Sequence, residues 1–235
     1  MSVIRKVIKS KANHLKIVRA ALLIGAIANL LSTKAVWAGA ITSPDVVTVA
    51  TVNGPQFTTV DVPVSIRDTS GTPLGLDQPP GSHIQAYAIK VNYSPASAVQ
   101  SITFTRAGIT TSLTPASESS PTSAGSISLI DSFSESTNPI PFTLNGALPG
   151  NQVAALHVTL SPTATPGTVI TLTLDPSSLT ALSNDTGTLG ETVSNGTLSL
   201  VNGSITVTPS VPALGNIALL ILAISLAFIA IRSRF

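Results

Sequence analysis

Val60, Val62, Val64 and Ile66 alternate without a break with Asp61, Pro63, Ser65 and Arg67. Successive side chains of an extended chain point to opposite faces, so this period of two puts four branched apolar groups on one side and a polar set on the other. The theme recurs in Tyr87, Ile89, Val91 and Tyr93, in Leu156, Val158 and Leu160, and in Ile170, Leu172 and Leu174. Further strands are expected at 46–52, 99–105, 126–130, 196–201 and 204–208, punctuated by Gly, Pro, Asn, Asp and Ser. Asn195-Gly196 and Asn202-Gly203 read as tight turns. Pro63 cannot donate to a ladder, which points to an edge strand or a bulge. No stretch of the body sustains the 3.6-residue period of a helix. The reading is an all-β domain: an antiparallel sandwich of eight to nine strands, a jelly roll, over residues 41–208. The Ser/Thr/Pro-rich stretches 110–124 and 132–141 read as long surface loops of low hydrophobicity.

The ends differ in kind from this body. Seven of the twelve basic residues precede position 35, and two more close the C-terminus. Between 41 and 211 only Arg67, Lys90 and Arg106 face all ten carboxylates, a net charge of −7. A nucleic-acid surface needs clustered cations to neutralise phosphates, so nucleic acid is excluded as a partner. Residues 20–31 form an apolar run of about twelve residues, the length of a signal-peptide core rather than of a membrane span. Small residues follow: cleavage after Ala38, with Val36 at −3, or after Ala40, with Ala38 at −3, both fit, and residues 1–40 read as a signal peptide. An uncleaved anchor is the alternative, because the basic leader is long. At the other end residues 213–231 carry no charge, and about nineteen helical residues nearly match a hydrocarbon core of ~30 Å. Arg232 and Arg234 would hold the terminus on the cytoplasmic side. Residues 209–235 thus read as an anchor with a transmembrane helix, reached through a linker too short to be a flexible stalk. Export to the cell surface, outer envelope or extracellular matrix follows from both ends.

A short Pro-containing motif, a membrane span and a basic tail together resemble the C-terminal sorting signals of the PEP-CTERM type, and most closely the IPTL-CTERM variety. Val211, Pro212, Ala213 and Leu214 align with its Ile-Pro-Thr-Leu signature, sharing Pro and Leu, while Gly215, Asn216 and Ile217 replace the acidic and tryptophan residues that usually follow. The resemblance implies processing near this motif by an exosortase-like transpeptidase. The body resembles the cohesin family, nine-stranded jelly rolls related to some carbohydrate-binding modules. Residues 60–68 with Gly71 and Leu74 resemble its opening strand. Residues 86–95 resemble the strand ending in Tyr-Asp-Pro, with Ser94 in place of Asp. Residues 153–174 and Asn195-Gly196-Thr197 resemble its C-terminal half. What this implies is a non-catalytic interaction or adhesion module with a protein partner, dockerin-like or another surface protein. A polysaccharide partner on the same fold, in the cell surface or a biofilm matrix, is the alternative.

Chemistry is sparse. The chain has no cysteine, which removes thiol catalysis and thiolate-bound metal. His157 sits on the polar side of its strand and His83 in a loop, neither with a partner at metal-ligand spacing, and the many serines lack a nucleophile motif. No catalytic, cofactor-binding or metal-binding residue is assigned, and the ten acids read as dispersed surface charge. Calcium is the one ion with oxygen donors in view: Asn184, Asp185 and Glu191 bracket one loop, Asp68 and Asp77 another, though neither follows a recognised spacing. Aromatic platforms for sugars are scarce, since Trp37 falls in the cleavage region and Tyr87 and Tyr93 share an apolar face. Phe133 and Phe142 are the rings expected at the surface. N-terminal sequencing of the mature protein should begin at Gly39 or Ile41; a start at Met1 refutes the cleaved leader.

Overall fold

The structure is a computed structural model that describes residues 43–210. The leader 1–40 and the segment from 211 onward lie outside the described residues, and with them the processing positions Ala38, Ala40, Val211, Pro212, Ala213 and Leu214. In chain order the strands are β1 (Asp45–Val49), β2 (Thr51–Pro55), β3 (Thr59–Arg67), β4 (Ala86–Ser94), β5 (Val99–Arg106), β6 (Ser117–Ser119) and β7 (Thr122–Ser123). They continue with β8 (Ser126–Ser132), β9 (Asn151–Leu160), β10 (Val169–Leu174), β11 (Ala181–Ser183), β12 (Gly190–Thr192), β13 (Leu198–Val201) and β14 (Gly203–Thr208). Short 3₁₀ turns at Ala96–Ala98 and Gly108–Thr110 are the helical elements of the described residues.

Two sheets face each other. One runs β13-β1-β3-β9-β5. In the other, β4 is central: β8 lies on one edge, with β6 and β7 beyond it, and β10 and β11 share the opposite edge, leading on through β14 to β2. The alternation seen in the sequence is the reason the sheets stack. Val60, Val62, Val64 and Ile66 of β3, Leu156 and Val158 of β9, Ile89 and Val91 of β4, and Ile170 and Leu172 of β10 are almost wholly buried between them. A one-residue slip in any of these strands would turn its apolar set to water, so the register is fixed by burial.

The expected strand at 46–52 is two strands in different sheets. The chain leaves β1 at Ala50 and enters β2, and its last strands do the same at Asn202 between β13 and β14. Because the two crossings run alongside one another, β1 pairs in parallel with β13 and β2 with β14, within an otherwise antiparallel sandwich. Asn202-Gly203 is therefore a sheet crossing and not a hairpin turn, whereas Gly196 does occupy a turn, with φ 75°. A Cβ on Gly203 would lie 2.2 Å from the Ala50 carbonyl oxygen, so only glycine lets the crossings touch. β3 is not an edge strand. The Pro63 carbonyl accepts the Ala50 N–H, so its missing donor faces the point where β1 ends, and a bulge follows at Val64/Ser65.

The stretches read as loops are partly structured. β6 and β7 pair with β8, and Ile140 and Phe142 reach the core. Gly203→Ala should destabilise the domain by about 2 kcal/mol through overpacking against fixed backbone. Urea denaturation should show a lower midpoint with an unchanged slope.

Candidate interaction face

The outward positions of β4 and β8 are mostly small or hydroxylated, with Lys90 and Ile130 the larger side chains among them. Ala88 and Lys90 of β4 stand beside Ser128 and Ile130 of β8, in register through Ala88↔Ile130 and Lys90↔Ser128. Residues 121–123 rise on one side and Ser178 and Leu179 on the other, leaving a groove of about 220 Å³. Its floor is a sheet, so it is preformed. Lys90 Nζ is held 3.1 Å from Asp175 Oδ2. Hydrogen bonds from Ser177, joined by Lys90, pull the Asp175 carboxyl down to about 2, so the pair is charged at any neutral pH. An apolar strip from Ala88, Ile130 and Leu179, bordered by hydroxyls and one fixed cation, suits an uncharged or partly apolar protein surface.

The outer face of the other sheet carries a polar relay across three strands. Asp61 Oδ1 lies 2.6 Å from His157 Nδ1, and His157 Nε2 lies 2.8 Å from Thr105 Oγ1. The order of atoms, carboxylate to imidazole to hydroxyl, is that of a hydrolase triad, and no local motif in the sequence marks it. Asp61 is 70% exposed, however, and the relay sits on a flat, solvated sheet where water screens its charges. It acts as a cross-strand ladder. His83 lies in its loop, Nδ1 2.9 Å from Glu135 Oε1.

The acids are not all at the surface. Asp45, Asp68, Asp131 and Glu191 are fully buried, correcting the expectation of solvated charge. The loop after β3 supplies the reason. Its Thr69 N–H donates to Asp45 Oδ1 (2.7 Å), Leu74 N–H to Glu191 Oε1 (2.9 Å) and Leu76 N–H to Asp68 Oδ2 (3.0 Å). Asp45 Oδ2 and Glu191 Oε2 meet no donor, and two such neighbours satisfy each other only when one keeps its proton and donates it. Burial, then mutual repulsion, pushes Glu191 up, and burial pushes Asp45 up. Asp131 accepts the Tyr87 hydroxyl (2.9 Å), and burial pushes its carboxyl up to about 6.

The calcium donors do not assemble as expected. Asn184 spends its side chain on Thr188, Leu189 and Gly81, while Glu191 turns inward to Asp45. Asp77 Oδ2 is taken by the Gly71 N–H. Among the described residues no three His, Cys, Asp or Glu side chains are placed to hold a metal. Nor are Phe133 and Phe142 exposed. Phe133 packs on Tyr87 with ring centroids 6.3 Å apart, and Phe142 joins the same core, because the loop folds its apolar residues under. Tyr87 is core, as expected, and Tyr93 is partly buried against it. Among the described residues the exposed ring is Phe57, 64% accessible in a turn at φ 63°.

No protein-family model and no curated protein sequence matches the chain. Solved structures do. The cohesin–dockerin complex Coh-OlpC–Doc435 from Clostridium thermocellum aligns over 74% of this chain and 99% of its own, with TM-score 0.51 and 14% identity. Coh-OlpA–Doc918 from the same organism aligns over 70% and 99%, with TM-score 0.50 and 13% identity. The domain has the cohesin fold. At such identity the likeness is one of architecture: two facing sheets of a jelly roll, which the cohesin resemblance of the sequence implied.

The buried acids of this cohesin-like domain make its stability pH-dependent in a stated direction. Folded-state values raised above the unfolded ones mean that stability is complete below about pH 4 to 5 and is lost as pH rises through 6, where Asp131 ionises, and onward as the Asp45–Glu191 pair gives up its proton. Thermal denaturation should therefore give a higher Tm at pH 5 than at pH 8. Glu191→Gln, which keeps the Leu74 bond without the charge, should flatten the fall.

Proposed function

We propose that this is a non-catalytic, exported surface or matrix module that binds a protein partner through the outer face of β4 and β8. The observation that carries the reading is the preformed groove, floored by Ala88 and Ile130 and walled by Leu179, with its one cation fixed by Asp175. The cohesins of the solved complexes were crystallised with dockerins, which supports a protein as the class of partner. The leader and the uncharged C-terminal stretch support export and membrane attachment, and the Pro212–Leu214 motif supports processing at the envelope.

Anchor residues at the centre of an interface commonly contribute more than 1 kcal/mol each. Ile130→Arg, which puts a bulky charge on the groove floor while leaving the core side of β8 intact, should weaken partner capture at least tenfold. The check is quantitative recovery of secreted proteins by the mature chain against the variant, with circular dichroism of both. Equal recovery by the two proteins refutes the face. Retention on polysaccharide gels with no protein captured refutes the partner class and transfers the reading to glycan binding.

A further inference from the structure

Charge is unevenly distributed along the strand axis. At one end lie the loops 55–58, 95–98, 123–125, 161–168 and the exit 208–210, and none of these residues is charged. The loop after β3, with Asp77, lies at the other end with Glu135 and Asp185, beside Arg67 and Arg106 at the ends of β3 and β5. The nearest charge to the neutral end is Asp61, two residues into β3, on the sheet face and paired with His157.

The neutral end is also where the chain leaves. Thr208, the last strand residue, pairs with Pro55, and its carbonyl accepts the Gln56 N–H (3.2 Å). Next to Gln56 is Phe57, exposed and in a left-handed conformation that a bulky residue rarely keeps. Val169, half exposed, opens β10 at the same end. Only four residues, 209–212, separate Thr208 from the uncharged stretch 213–231, a reach of about 14 Å when fully extended.

We infer that this end is a lipid-facing surface, seated on the bilayer that holds the chain's own C-terminal stretch, with Phe57 entering the headgroup region. The inference rests on reading 213–231 as a membrane span. Three independent features converge on it: a tether too short to lift the domain away, an end without charges to desolvate, and an aromatic ring held outward at the point of exit. An apolar ring buries favourably at the headgroup boundary, and the end with Asp77, Glu135 and Asp185 is turned away from anionic headgroups.

The chain lacks cysteine, so single-cysteine variants carry one environment-sensitive probe each. The full chain in phosphatidylcholine–phosphatidylglycerol vesicles, labelled at Thr165→Cys, Leu76→Cys or Ile221→Cys, is read by emission shift and by lipid-borne quenchers at two depths. Expected are deep quenching at 221, a blue shift and shallow quenching at 165, and a water-like signal at 76. Phe57→Asp in the Thr165→Cys chain should return that probe towards water without changing the β-sheet circular dichroism. Deep quenching at 221 with probes at 165 and 76 equally wet overturns the seated end and leaves the span standing. An unquenched probe at 221 overturns both. A probe at 165 that ignores Phe57→Asp overturns the role of the ring.

Discussion

The sandwich is closed by the contact between its two sheet crossings. The chain passes from one sheet to the other at Ala50 and again at Asn202, and Gly203 brings the second crossing against the Ala50 carbonyl. Because both crossings occur at one place, the first and last strands pair twice, once in each sheet, in the only parallel ladders the described residues show. Residues more than 150 apart are thereby tied at two levels, and neither sheet can shift against the other without breaking a ladder. Such non-local closure cannot form until most of the chain is in place, which favours slow, cooperative folding. It also fixes that the chain leaves beside the turn that carries Phe57.

The same closure explains why a domain this short of charge keeps four carboxylates inside. Asp45 opens β1 and Glu191 lies in β12, and the loop after β3 lays its amides over both. Burying an ionised carboxylate costs several kcal/mol, and a backbone N–H or a retained proton offsets that cost. The network therefore holds the loop against the sandwich, at the expense of stability above neutral pH.

Alternation made the core strands legible, because each is buried on one face only and the period of two records it. The crossing at Ala50 left no such mark: 46–52 reads as one strand since apolar residues flank Ala50 on both sides and the change of sheet depends on a partner segment near residue 202. The buried acids were illegible for the same reason. Asp45 and Glu191 stand 146 positions apart, and what makes their burial tolerable is the amides of a third segment. Phe133 and Phe142 were misread because the average polarity of 132–141 hid Ile140, which with the two flanking rings plugs the stretch into the core. Asp61 and His157 meet only through the β3–β9 register. The groove had a faint signal, since Ile130 is a large apolar residue at an outward position of β8, whose other outward residues are serines.

The sheet-face groove and the neutral end lie at a steep angle and meet at Ser123. The groove runs over a sheet face, along strands whose direction leads to the neutral end. Seated on that end, the strands stand steeply on the bilayer and the β4–β8 face opens sideways, towards other molecules at the same height. Seated on the face instead, the domain would bury Lys90 and Asp175 against lipid and leave Phe57 in water, which costs on both counts. A seated end would touch the groove at Ser123 alone and leave Ala88, Ile130 and Leu179 open, so attachment and partner binding would use different residues.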